Sequence, residues 1–122
     1  MDFEITSSLD GDILVVTFAG QSTAENVQAM TARYFDIALG SGLRKILADI
    51  RLLNGRLSAG EIYFLVRDLP VKPIPPGIKT ALLEAKERRD FANFLETTSA
   101  NAGVPLKCFF DRGEAVAWLR GP

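Results

Sequence analysis

The sequence predicts a single α/β domain, a five-stranded mixed sheet with about four helices in the order ββαβαβαβα. Three observations carry this. Apolar runs of strand length alternate with segments whose apolar residues recur at helical spacing, the pattern of strands linked by crossover helices. Helical segments open on Ser-x-x-Glu or Asp-x-x-Glu signatures and close on glycine or proline. The tail, Lys107 to Leu119, reads as a buried strand running directly into a capped terminal helix. At 122 residues the chain is long enough for one domain with a real core and too short for two, so residues 1–122 are read as one unit.

The elements follow in order. Phe3, Ile5 and Ser7 alternate with polar neighbours, which predicts a half-exposed strand from about Asp2 to Ser8. Asp10-Gly11-Asp12 is a turn signal, and Ile13 to Ala19 forms the second arm of an antiparallel hairpin. Ser22 with Glu25 makes a capping box for a helix whose inner face is Val27, Met30, Tyr34, Ile37 and Ala38. That helix is expected to run to about Leu39 and to stop at Gly40 and Gly42. Lys45 to Ile50 is the third strand, with the continuous apolar run Ile46-Leu47-Ala48 of a strand covered on both faces.

Ser58-Ala59-Gly60-Glu61 is a second capping box, and it opens a helix with Ile62, Leu65, Val66 and Leu69 inward. Pro70 ends it, and Pro73, Pro75, Pro76 and Gly77 make a stiff loop. Ile78 to Leu83 is the fourth strand. Lys86 to about Asn101 is the third helix, with Phe91, Phe94, Leu95 and Thr98 inward. Ala102-Gly103 closes it, and Pro105 leads into the fifth strand, Leu106 to Phe110. Asp111 caps the last helix and Glu114 completes its box; Ala115, Val116 and Leu119 face the core with Trp118 alongside.

Composition excludes several functions. Fourteen basic and 15 acidic residues leave a net charge of −1, so no global field draws the chain to nucleic acid or an anionic membrane. No apolar run approaches the roughly 20 residues of a membrane span. The start, Met1-Asp2-Phe3-Glu4, lacks the basic and apolar stretches of a signal peptide. One cysteine forms no internal disulfide, which fits a reducing cytoplasm. Histidine is absent, which removes the usual general base and a common metal ligand, and no cofactor motif is present.

The run Phe109-x-Asp111-Arg112-x-x-Ala115-x-x-Trp118-Leu119 resembles the closing unit of SpoIIAA-like (STAS-like) domains. Leu43 to Arg51 is similar to the central strand of the same superfamily, which often ends in an aspartate. The resemblance implies a STAS-like sandwich, akin to the small standalone bacterial SpoIIAA-like proteins, a fold that hosts regulatory and binding modules more than enzymes. In anti-sigma factor antagonists of this class, an Asp-Ser pair opens the next helix and the serine is phosphorylated. Laid gaplessly from Asp49, that serine falls on Ser58 and the motif glycine on Gly60, but the aspartate position holds Leu57. The fold is shared with CRAL-TRIO lipid-binding domains, which implies a small apolar ligand as an alternative.

The candidate sites are these. Ser58 is a candidate phosphorylation or docking residue, and it is also fully explained as a helix cap. Asp49, Arg51, Asn54 and Arg56 concentrate polar groups after the third strand, where α/β folds place their sites; they are candidates for anion or partner binding, or form a solvated loop with Asp49 paired to Arg51 or Arg56. Tyr63 and Phe64 belong to five consecutive apolar residues, more than one helix face can bury, so they are either covered by the proline-rich loop or form an apolar interaction patch. Cys108 reads as inert core. Glu84 with Asp49 is the remaining carboxylate pair for acid–base work. The leading expectation is a non-catalytic cytoplasmic regulatory module with a protein partner or a second copy of itself. A carrier or sensor of a small apolar ligand is the alternative, and a carboxylate-dependent enzyme comes third.

Overall fold

The computed structural model describes residues 3–67, 77–104 and 106–121. The first two strands, β1 (Phe3–Asp10) and β2 (Ile13–Gln21), form an antiparallel hairpin. Its two-residue loop needs a positive φ at the first position, and Gly11 supplies it at 61°. Then come α1 (Ala24–Ser41), β3 (Lys45–Asn54), α2 (Ala59–Arg67) and β4 (Lys79–Leu83). A short 3-10 turn, Lys86–Arg88, leads into α3 (Arg89–Asn101), followed by β5 (Lys107–Phe109) and α4 (Arg112–Arg120).

The five strands lie in sequence order, β1-β2-β3-β4-β5, parallel from β2 onward. Parallel neighbours are joined by right-handed crossovers, so a strand order that only advances puts every crossover helix on one face. The packing agrees. Leu14, Val16, Phe18, Ile46, Ala48, Ile50 and Leu82 form one buried cluster with Met30 and Ala38 of α1 and with Phe91 and Leu95 of α3. Leu57 and the α2 residues Ile62 and Val66 extend it over Phe91 and Leu95. The alternate residues Ile13, Val15, Leu47, Ala81 and Leu83 face the other way, onto Ala115 and Leu119 of α4. Among the described residues, the terminal helix, bound by no crossover, is the one helix that packs on the second face.

Several boundaries differ from the sequence expectation. The N-cap of α1 is Thr23, whose Oγ1 accepts from Asn26 N at 3.1 Å, instead of Ser22. Ser22, just past the end of β2, is tied to the end of β3 by its own N–H, which donates to the Asn54 carbonyl at 3.0 Å. The same helix passes through Gly40 and ends at Gly42, where φ is 70°. Strand β3 continues four residues beyond Ile50, because Leu52, Leu53 and Asn54 pair with Ala19, Gly20 and Gln21. Phe94 is exposed rather than inward, since the stripe of α3 runs through Phe91, Ala92, Leu95 and Ser99. Asp111 caps α4 as expected, with Oδ2 accepting from Glu114 N at 2.9 Å. Leu69, Pro70, Pro73, Pro75, Pro76 and Pro105, with the start of the first strand at Asp2, lie outside the described residues.

Candidate functional site

The carboxyl ends of the parallel strands gather the sequence's candidate polar residues, and the structure divides them between the two faces of the sheet. Strand alternation puts Asp49 on the α4 face with Leu47, and Glu84, two residues after Leu82, on the opposite face. The two carboxylates therefore do not converge on a common reacting atom.

Asp49 is buried and bound by Arg51 two residues on. Its Oδ1 accepts from Arg51 N at 3.1 Å and Nε at 3.0 Å, and its Oδ2 from Nη2 at 2.9 Å. That bond raises the Arg51 pKa further above its ordinary value. Asn54 is exposed, at the end of β3.

Arg56 turns inward. Its side chain is 6% exposed and that of Glu84 is 0% exposed. Nε and Nη2 donate to the two Glu84 oxygens, each at 2.7 Å, a bidentate geometry. Its remaining donors reach the carbonyls of Leu53 (2.7 Å), Gly55 (2.6 Å) and Ile50 (3.0 Å), and the guanidinium lies over the Phe91 ring at 5.8 Å. Glu84 Oε1 also accepts from Ala85 N at 2.8 Å. The pair thus clamps the turn after β3 to the end of β4. The four residues proposed for anion binding are not brought together: Arg51 is paired with Asp49 and Arg56 with Glu84.

Ser58 is exposed at the N-terminus of α2 in a reciprocal capping box. Its N–H donates to Glu61 Oε1 at 3.0 Å, and its Oγ accepts from Glu61 N at 3.3 Å. One turn on, Tyr63 and Phe64 are 55% and 53% exposed, since Ile62 and Val66 take the buried stripe of α2. Their rings meet edge-on at 5.6 Å, and the Arg67 guanidinium stacks over Phe64 at 4.7 Å.

Cys108 is half-buried, with Sγ donating to the Ala92 carbonyl at 3.3 Å. Burial first, then the charges of Glu96 and Glu84, push its thiol up to about 12, which makes it a poor nucleophile. Trp118 packs against Phe109 at 5.6 Å, at the edge of the α4 core. Among the described residues, no group of three or more histidine, cysteine, aspartate or glutamate side chains is placed to hold a metal ion. No helix there is long and apolar enough to cross a membrane.

The missed element is the Arg56–Glu84 clamp. A usable signal existed: Glu84 sits inside Ala81-Leu82-Leu83-Glu84-Ala85, and a carboxylate ending a buried strand needs a cation.

This architecture is the SpoIIAA-like (STAS-like) α/β fold. No family model matches the sequence, and no curated protein matches it. Among solved structures, the chain is similar to an anti-sigma factor antagonist from Mycobacterium paratuberculosis, with a TM-score of 0.64 at 9% identity over 98% of this chain and 95% of that one. It is also similar to an uncharacterised protein with a SpoIIAA-like fold from Shewanella loihica PV-4, with a TM-score of 0.57 at 20% identity over 97% and 93% of the two chains.

Proposed function

We propose that the protein is a non-catalytic, cytoplasmic regulatory module that docks a protein partner through the outer face of α2. The observation that carries this is the exposed set Tyr63, Phe64 and Arg67 directly after the Ser58 cap. Aromatic and arginine side chains dominate the energetics of protein interfaces, and here they share about one turn of a helix. Two further facts support the reading. The rim carboxylates Asp49 and Glu84 each neutralise an arginine on opposite faces, an arrangement suited to structure rather than proton transfer. One similar structure is an anti-sigma factor antagonist, a protein whose role is regulatory.

In this reading Ser58 is the switch position. A phosphate there sits on the positive end of α2, where it is tolerated, and places a dianion one turn from Tyr63 and Phe64. The test compares wild-type protein with Phe64→Glu, used as bait in extract of its native cells, with size-exclusion chromatography on both. A partner held by the wild type and lost from Phe64→Glu at unchanged thermal stability is the expected result. A wild-type dimer that Phe64→Glu turns into a monomer assigns the surface to self-association instead. Identical partners and identical oligomeric state for the two proteins overturn the proposal.

A further inference from the structure

An apolar cavity of about 200 Å3 lies between the sheet and the helices α1, α2 and α3. It exceeds the ~150 Å3 engineered apolar cavity that takes up benzene. Its floor includes Ile46, Ala48 and Ile50, alternate residues of β3 that span about 13 Å at the rise of a strand. The void therefore runs along β3 from Ile46 to Ile50. Ala48 sits at its middle, where a small side chain leaves the floor low.

Its polar lining residues are Ser22, Thr31, Tyr34, Thr80 and Ser99, and three of them mark its two ends. Thr80 pairs with Ile46 near the start of β3, and Tyr34 Oη meets Thr80 Oγ1 at 3.5 Å, a bond at the limit of useful length. Burial raises the Tyr34 pKa, so its phenol is a neutral donor. At the other end, beside the Asn54 carbonyl that anchors its N–H, Ser22 contributes an Oγ that is buried and has no hydrogen-bond partner among the described residues. An orphaned buried hydroxyl costs free energy unless something meets it. No charged side chain lines the cavity among the described residues.

We infer that this cavity binds an uncharged, medium-length aliphatic molecule carrying a terminal oxygen function, such as a medium-chain alcohol. The slot takes the chain lengthwise, and a hydroxyl end group is met by Tyr34 and Thr80 or by Ser22. An ionised head group finds no charged partner among the described lining residues, so it is disfavoured relative to an alcohol. The site faces the sheet and is separate from the outer surface of α2, so it stands whether or not that surface docks a protein.

The probes are 1-octanol, 1-hexanol and octanoate at neutral pH, added to the full chain labelled at its Ile and Leu methyl groups. Octanol is expected to shift the methyl signals of Ile46, Ile50 and Leu82. Binding falls about fourfold per methylene removed, so hexanol binds about sixteenfold more weakly, from the transfer free energy of a CH2 group. Octanoate is expected to bind at least tenfold more weakly than octanol. Ala48→Leu, which fills the middle of the slot, is expected to abolish binding while unfolding stays cooperative. Should Ala48→Leu not fold, Thr80→Val decides instead by weakening octanol binding severalfold. Octanol that leaves these methyls unmoved, or affinity that does not rise with chain length, overturns the inference.

Discussion

Replacing Arg56 by alanine should cost more stability than any other single arginine substitution at the strand rim. The wild-type pair is dry: the two side chains are 6% and 0% exposed, and two 2.7 Å bonds join them. Without Arg56, the Glu84 carboxylate keeps, among the described residues, only the Ala85 N–H, and the carbonyls of Ile50 and Leu53 lose a donor. Removing one partner of such a buried pair costs roughly 3–5 kcal/mol, mostly for the charge left behind. That is a large part of the roughly 5–15 kcal/mol that holds a domain together, and it corresponds to a fall in Tm on the order of 10–20 °C. Urea unfolding followed by the fluorescence of the single tryptophan, Trp118, gives the value directly. Arg51→Ala is the control. Its side chain is 44% exposed although Asp49 is buried, so the loss should lie between the roughly 0–1 kcal/mol of an exposed pair and the loss for Arg56→Ala. The double variant Arg56→Met with Glu84→Leu should recover most of the loss, because neither charge is then buried alone. An Arg56→Ala protein within about 1 kcal/mol of wild type, or one more stable than Arg51→Ala, would refute the clamp.

Three other outcomes are expected. Ser58→Ala should lose about 1 kcal/mol in urea unfolding, whereas Ser58→Asp, itself a good cap, should unfold cooperatively close to wild type; a collapsed transition for Ser58→Asp would contradict the cap assignment. Cys108, pushed up to about 12 from an ordinary 9.0, should react with iodoacetamide at pH 8 about a thousandfold more slowly in the native than in the unfolded protein. A pKa raised on folding favours the native state fully below pH 9.0, and that contribution fades as the pH climbs toward 12. Alkaline destabilisation should therefore be smaller in Cys108→Ala, and an unchanged pH profile would argue against a buried thiol. Phe64→Glu should leave urea unfolding within about 0.5 kcal/mol of wild type, since its ring is mostly in water, and a larger loss would show that the ring is packed.

What the sequence revealed was local. Asp111, Ser58 and Gly42 act within a few residues, so caps and stops were legible even where the expected boundary moved by two positions. The continuous apolar run Ile46-Leu47-Ala48 of β3 likewise announced two buried faces. What escaped was long-range. Ser22 and Thr23 are equally able to cap, and the choice is made by the Asn54 carbonyl, distant in sequence. The far end of β3 has an exposed Arg51 and Leu52 and no clean alternation; it is a strand because the end of β2 pairs with it. Arg56 and Glu84 lie 28 positions apart, and nothing near Arg56 shows that it turns inward. The cavity depends on how side chains on six elements fail to fill one space, which no local pattern encodes.

The central claim is that the outer face of α2 is the docking surface. It is tested most directly by placing a photocrosslinking phenylalanine analogue at Phe64 and, separately, at Leu9, which is also exposed but lies on β1. Irradiation in native cells should give a discrete protein adduct from position 64 and none of the same mass from position 9. The same adducts from both positions, or none from position 64, would contradict it.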